Sequence, residues 1–111
     1  MDNDEPTTDS VATLLGCYKS CMETVTHCLD MGGKHANAEH INLLLDCAKI
    51  CSLAADFSAR DSQNQAELHA LCADICQQCA DDCEKLAGAD TQMEECAQVC
   101  RECAEMCEAM A

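Results

Sequence analysis

One cysteine spacing recurs along this chain and constrains its fold more than any other feature. Residues 72–83 and residues 96–107 both read C-x3-C-x2-C-x3-C. Residues 17–28 repeat the pattern with one substitution, and residues 47–58 keep its first half. All 13 cysteines fall on this spacing: Cys17, Cys21, Cys28, Cys47, Cys51, Cys72, Cys76, Cys79, Cys83, Cys96, Cys100, Cys103 and Cys107. A 4-3-4 spacing marks the a and d positions of a heptad, so the cysteines are predicted to line one face of each helix.

Helix-ending and helix-capping residues divide the chain into four such helices. Gly32 and Gly33 end the first periodic stretch. The predicted N-caps are Asn37, Ser62 and Thr91, the last two in capping boxes with Gln65 and Glu94. The predicted helices cover residues 9–31, 38–60, 63–87 and 92–110. Similar lengths and short connections predict an all-α fold, an antiparallel up-down four-helix bundle with a cysteine-lined core. It forms a single domain over residues 9–111, after a flexible N-terminal tail of residues 1–8.

Apolar residues on both sides of the cysteine face also indicate that this face points into the bundle. Large side chains recur on one side, namely Leu43, Ile50, Phe57, Leu68, Ile75, Val99 and Met106, and alanines on the other, namely Ala48, Ala55, Ala73, Ala80, Ala97 and Ala104. Aligning the cysteine patterns of antiparallel helices predicts four layers: Cys17/Ser58/Cys72/Cys107, Cys21/Ala54/Cys76/Cys103, Thr24/Cys51/Cys79/Cys100 and Cys28/Cys47/Cys83/Cys96. The interior of the bundle is therefore predicted to be a tube lined with sulfur.

Composition excludes several classes of function. The formal charge of −15 and the single Tyr and Phe argue against nucleic-acid binding. No apolar run is long enough to span a membrane. Leu, Ile, Val and Phe make up only 17 of the 111 residues, a fraction typical of disorder unless cysteine fills the core. Few Gly and Pro, an odd cysteine count and no secretory signal argue against a secreted disulfide framework. Reduced thiols and a cytoplasmic location are expected.

The spacing suits metal binding better than disulfide formation. Cysteines three or four residues apart on a helix have Cβ atoms about 5–6 Å apart, too far for a disulfide but suitable for a metal bridging two thiolates. Soft thiolates select Cu(I), Zn(II) or iron–sulfur clusters. Zinc and iron–sulfur clusters prefer separate quartets of ligands, whereas a continuous column favours many Cu(I) ions that share thiolates. An iron–sulfur or redox protein and a zinc or cadmium thiolate buffer remain alternatives.

With these repeats, the chain resembles the bacterial copper storage proteins, four-helix bundles that hold many Cu(I) ions on cysteines. The resemblance covers about residues 10–110, and it is to the cytosolic members of this family. It implies a tetramer of bundles. The chain departs from a fuller cysteine complement at Thr24, Ala54 and Ser58.

One end of the bundle is the predicted entrance for the metal. The first inter-helix connection and the adjoining helix ends place imidazole and thioether groups there: His27, Met31, His35, His40 and Met93. These groups bind Cu(I) more weakly than thiolate does and so suit capture and release. The resemblance points the same way, since family members carry His and Met ligands at one open end. The opposite end carries His69, Met110 and Leu14 and is predicted to be more closed.

These features predict a non-enzymatic store or buffer of multiple Cu(I) ions. No cysteine is paired with a base on a predicted loop, so catalysis has no support in the sequence. Copper would be exchanged with a copper chaperone or with small thiols. Neither nucleic acid nor a membrane is an expected partner.

Overall fold

A computed structural model shows four antiparallel helices and describes residues 6–111, with side chains from Ser10 onward. The helices are α1 (Pro6–Met31), α2 (Ala38–Ala59), α3 (Gln65–Ala87) and α4 (Thr91–Met110), and a short 3-10 helix, Gly33–Ala36, lies between α1 and α2. Each helix packs against two neighbours, most extensively α1 against α2 and α3 against α4. The predicted all-α four-helix fold is confirmed. None of the described helices is both long and apolar enough to cross a membrane.

The ends of the helices differ in part from the prediction. α1 begins at Pro6, three residues before the predicted start, and proline is well suited to a first helical position. Helix α1 therefore includes residues 6–8 of the predicted tail, and residues 1–5 lie outside the described part of the chain. Gly32 and Gly88 follow α1 and α3 with positive φ angles, a conformation that glycine adopts without steric cost.

One of the three predicted N-caps is confirmed and two are wrong. The Asn37 side chain accepts a hydrogen bond from the Glu39 N–H at the start of α2. Ser62 instead accepts from the Asn64 N–H in a turn that precedes α3. Helix α4 is capped by Asp90, whose side chain accepts from the Met93 N–H, and Thr91 is already helical. Aspartate is a somewhat better cap than threonine, and Asp90 has the extended backbone that a cap requires.

The apolar residues beside the cysteine face pack as predicted. All six flanking alanines are buried. Six of the seven large side chains are buried, as Ile50 is, or packed against the core, as Leu43, Ile75 and Val99 are. The seventh, Phe57, is half-buried and has the Arg60 guanidinium 5.0 Å from its ring centroid. Alanine allows helix backbones to approach closely, and the large side chains fill the grooves that remain. The helices therefore pack through these flanking residues, and the cysteine side chains occupy the interior of the bundle.

The register of α1 and α2 differs from the predicted layers, whereas α3 and α4 keep the predicted pairing, with Cys79 near Cys100 and Cys83 near Cys96. Cys28 was expected beside Cys47, but its Sγ lies 3.4 Å from Nε2 of His40. Cys51 was expected beside Cys79, but its Sγ lies 3.7 Å from that of Cys72. The physical reason is the short connections, which bring together residues at similar distances from the turn. Cys28 is near the end of α1 and His40 is near the start of α2. The predicted alignment, which matched one cysteine pattern to the next, therefore places α1 and α2 one to two turns away from their observed positions.

Candidate metal centre

The cysteine side chains form one continuous column inside the bundle, here called the thiol column. All 13 are free thiols, and each is at most 1% exposed. Each helix contributes because its 4-3-4 spacing keeps the cysteines on the inward face. The sequence prediction of a sulfur-lined interior is therefore confirmed, although the layers within it are shifted.

Neighbouring sulfurs in the thiol column lie in contact across helices. Sγ–Sγ distances are 3.6 Å between Cys47 and Cys76, 3.7 Å between Cys51 and Cys76, and 3.9 Å between Cys51 and Cys103. Thiolates on a three-coordinate ion would lie about 4 Å apart if each bond were about 2.3 Å, the length of a zinc–thiolate bond. The spacing of the sulfurs therefore already fits bridging by soft metal ions.

Three groups of four thiols could each surround a metal ion, and they overlap. Within each group all sulfurs lie within 4.8 Å of one another: Cys17/Cys47/Cys51/Cys76, Cys17/Cys21/Cys47/Cys100 and Cys51/Cys72/Cys76/Cys103. The first group shares Cys17 and Cys47 with the second, and Cys51 and Cys76 with the third. Separate metal quartets would not share ligands in this way. The arrangement fits a chain of ions that bridge common thiolates.

Burial and mutual proximity keep protons on many of these thiols. Burial, followed by the charge of Asp90, raises the pKa of the Cys28 thiol to about 11. The adjacent thiols Cys79 and Cys96, together with burial, raise the pKa of Cys83. Closely spaced thiols cannot all ionise in a medium of low polarity. A metal ion that binds them must therefore displace protons.

The gaps in the cysteine pattern are filled by small side chains that are also buried. Thr24 donates a hydrogen bond to the Ser20 carbonyl at 2.7 Å and accepts one from the Gln92 amide at 3.3 Å. Ala54 is fully buried and adds no polar group. Ser58 lies at the far end of the bundle and contacts His69. These positions reduce the number of thiols without opening the column to solvent.

A mixed nitrogen and sulfur site lies at the end of the bundle where α1 meets α2, here called the mouth. Cys28 Sγ lies 3.4 Å from His40 Nε2 and 3.3 Å from Met93 Sδ. All three side chains are almost completely buried. The structure thus brings His40 and Met93, two of the five predicted entrance residues, into contact with Cys28 of the thiol column, so that one nitrogen and two sulfur atoms meet at the mouth.

An aspartate that the sequence prediction missed sets the orientation of His40. Asp82 Oδ2 lies 2.6 Å from His40 Nδ1. A carboxylate only accepts, so Nδ1 carries the hydrogen, and Nε2 is the ring nitrogen that faces Cys28. Histidine ligands of metals are commonly held by such a carboxylate. The signal was present in the sequence, because Asp82 and His40 lie at similar distances from the connection between α2 and α3.

The other predicted entrance residues lie in an adjoining surface cleft. His27, Met31, His35 and Asp90 line this cleft of about 430 Å³. His27 Nε2 lies 2.7 Å from Asp90 Oδ2 in a hydrogen bond, and His35 Nε2 lies 3.1 Å from the same oxygen without hydrogen-bond alignment. The His27 hydrogen bond lowers the pKa of Asp90. Met31 is 56% exposed and stands outside the buried column.

The end opposite the mouth, here called the closed end, is filled with buried side chains. Leu14 and His69 are fully buried there. His69 Nδ1 lies 2.8 Å from the Gln65 carbonyl, and its Nε2 lies 3.1 Å from Ser58 Oγ. Among the described residues the two ends of the thiol column differ, since the mouth adjoins a cleft lined by His27, Met31 and His35, whereas Leu14 and His69 are fully buried at the closed end.

Comparison with known proteins gives the same fold and the same cysteine-rich character. The Nmul_A1745 protein from Nitrosospira multiformis has a TM-score of 0.90 at 39% identity, covering 98% of this chain and 97% of that one. The Cu(I)-bound copper storage protein BsCsp3 has a TM-score of 0.89 at 34% identity, covering 96% and 99%. The cysteine-rich protein YhjQ of Bacillus subtilis (strain 168) is 37% identical over 75 residues, which is 68% of this chain and 69% of YhjQ.

A protein-family model also matches nearly the whole chain. A model of the family described as "Csp: Copper storage protein" matches residues 3–111. That range contains all four helices and every cysteine of the thiol column. The chain therefore belongs to the copper storage protein family.

Proposed function

We propose that this protein stores Cu(I) ions on the thiol column and has no catalytic role. The observation that carries the proposal is the overlap of three four-thiol groups through Cys17, Cys47, Cys51 and Cys76. Shared thiolates allow many monovalent ions to bind with fewer thiols than separate sites would need. Cu(I) on thiolates also keeps the buried interior close to neutral charge. The Cu(I)-bound state of the similar protein BsCsp3 supports the same cargo.

The geometry favours Cu(I) over the other soft metals. Zinc takes four ligands in separate tetrahedral sites, whereas the four-thiol groups here share half of their members. An iron–sulfur cluster must fit iron and inorganic sulfide between its cysteines. Sulfurs only 3.6–4.0 Å apart leave no room for such a cluster. A small ion with two or three thiolate ligands fits the column without displacing the helices.

The mouth supplies a path for copper into the column. His40 and Met93 beside Cys28 bind Cu(I) more weakly than thiolates do, so an ion captured there can move on to stronger ligands. His27, Met31 and His35 line the cleft outside and would make the first contacts with arriving copper. The donor would be a copper chaperone or a small thiol, and the protein would act in the cytoplasm, where thiols stay reduced.

Exposed apolar side chains support self-association, for which the family resemblance implies a homotetramer. Leu15, Tyr18, Met22 and Leu29 recur along one face of α1, and each is between 38% and 54% exposed. Such a contiguous apolar face is unusual on a monomer surface. Replacing Tyr18 by Glu should lower the mass measured by light scattering. Leu71→Glu on α3, also at an exposed leucine, should leave the mass unchanged. A wild-type protein that is monomeric would contradict the proposal.

A competition titration tests the storage function. Reduced, metal-free protein is titrated anaerobically with Cu(I) in the presence of a chromophoric chelator, and the copper withheld from the chelator is counted. Many ions per chain are expected, in proportion to the number of thiols. Binding of only one or two ions would refute storage. Parallel titrations with Zn(II) and reconstitution with iron and sulfide test the alternatives, and Cu(I) should displace bound zinc.

A further inference from the structure

The closed end of the thiol column contains a buried imidazole that the proposed function does not use. His69 lies on α3, one turn before Cys72, and is fully buried. Its Nδ1 lies 2.8 Å from the Gln65 carbonyl oxygen. A carbonyl only accepts, so Nδ1 carries the hydrogen. Among the residues whose side chains the structure describes, neither hydrogen-bond partner of the ring is an acid, and a buried imidazolium without a counter-ion is costly. The ring is therefore neutral, with a lone pair on Nε2.

That lone pair lies where the cysteine pattern lacks a thiol. Nε2 is 3.1 Å from Ser58 Oγ, from which it accepts a hydrogen bond. Ser58 occupies the last position of the 4-3-4 pattern on α2, where the pattern elsewhere has cysteine. A serine hydroxyl can turn and donate instead to the carbonyl of the preceding helical turn. The imidazole nitrogen can thus be released from Ser58 without leaving the hydroxyl unpaired.

Two cysteines belong to the same end of the column as His69. Cys72 is three residues after His69 and so on the same face of α3. Cys107 reaches the same end from α4, and the proximity of Cys103 and Cys72, with burial, raises its pKa. At the mouth, one nitrogen and two sulfurs lie in contact, on His40, Cys28 and Met93. The column is therefore bounded by an imidazole at each end.

We infer that His69 Nε2 is a ligand of the last Cu(I) ion at the closed end, together with Cys72 and Cys107. The inference rests on the proposed storage function. Copper binding forms a bond from the Nε2 lone pair and needs no proton from the ring. One thiol loses its proton to solvent, and the resulting thiolate balances the charge of Cu(I). The second sulfur binds as a protonated thiol or is shared with the next ion. A neutral site results, as burial requires.

Copper counting on matched variants tests this assignment. His69→Gln places an amide near the position of Nε2, which can still hydrogen-bond to Ser58 but is a poor ligand for Cu(I). The folded variant, checked by circular dichroism, should bind one Cu(I) ion fewer than the wild type. Adding Ser58→Cys to His69→Gln should restore that ion, because a thiol then occupies the missing position. A folded His69→Gln variant with full capacity, or a double variant without recovery, would overturn the inference.

A direct measurement on the ring is independent of variant stability. Protein labelled with 15N in its histidine rings is compared in the metal-free and fully Cu(I)-loaded states by nuclear magnetic resonance. The His69 Nε2 resonance should shift on loading, since its lone pair becomes bonded to metal, while Nδ1 keeps its proton. An unchanged Nε2 resonance at full loading would exclude His69 as a ligand. Failure of the wild type to bind more than two ions would instead refute the storage function itself.

Discussion

His40 and Asp82 form a hydrogen bond of 2.6 Å between ring Nδ1 and carboxylate Oδ2, linking α2 to α3 at the mouth. This bond fixes the hydrogen on Nδ1 and turns Nε2 toward Cys28. His40 is 2% exposed, so a misplaced ring would leave a buried polar atom without its partner. Asp82 is therefore a positioning residue for His40, the ligand proposed to meet copper first inside the bundle.

Removing the charge of Asp82 should slow copper capture without emptying the column. Asp82→Asn weakens the hold on His40, and changes of this kind typically cost about 10–100-fold in metal affinity. Stopped-flow transfer of a first equivalent of Cu(I) from a chelator should become slower, whereas the total copper bound should not change. Asp81→Asn is the matched control, because Asp81 faces Arg101 at the surface. Equal effects of the two substitutions would contradict the positioning role.

A cysteine added at a gap in the pattern should increase copper capacity. Ala54 is fully buried and continues the cysteine spacing of α2, so Ala54→Cys adds a thiol to the column. About one additional Cu(I) ion should bind. Leu53→Cys is the control, since Leu53 is 40% exposed and faces outward. Copper counting after chelator competition measures both. A gain with Leu53→Cys equal to that with Ala54→Cys would show that position in the column is irrelevant.

The stability of the reduced, metal-free protein should fall at alkaline pH. The pKa of Cys28 is raised from 9.0 to about 11 in the folded protein, so the folded state holds this proton more tightly than the unfolded chain does. The resulting stabilisation is complete below about pH 9 and is lost as the pH rises through about 11, with a magnitude of up to about 3 kcal/mol. Urea unfolding across this interval measures it. Cys28→Ser should lose less stability over the same interval, and an equal loss would contradict this assignment.

The observed cap of α4 can be separated from the predicted one by substitution. Asp90→Ala removes the side chain that accepts from the Met93 N–H and should lower the free energy of unfolding by about 0.5–2 kcal/mol. Asp90→Asn should retain most of the stability, because asparagine caps equally well. Thr91→Ala should change it by only a few tenths of a kcal/mol, since Thr91 is already inside the helix. Urea unfolding of the metal-free protein compares the three variants, and a larger loss for Thr91→Ala than for Asp90→Ala would reverse the assignment.

Much of the candidate site follows from local periodicity. The 4-3-4 spacing placed every cysteine on an inward helix face, and the structure buries all 13. The mouth residues His40 and Met93 could be predicted for the same reason, since both continue the pattern by whole helical turns. A helix repeats its faces regardless of its surroundings, so these features do not depend on the rest of the fold.

The alignment of the helices was decided only in the tertiary structure. Which residues face each other depends on the geometry of the connections and the packing of the flanks, and a spacing inside one helix carries no information about either. The partners of Cys28 therefore changed from Cys47 to His40 and Met93. The contact of Asp82 with His40, 42 positions apart, likewise follows from the short connection between α2 and α3 and not from a spacing within one helix. The sequence alone determined a column of thiols with His40 and His69 toward its two ends. The packing of the helices decided what these imidazoles contact, namely Cys28 and Asp82 for His40 and Ser58 for His69.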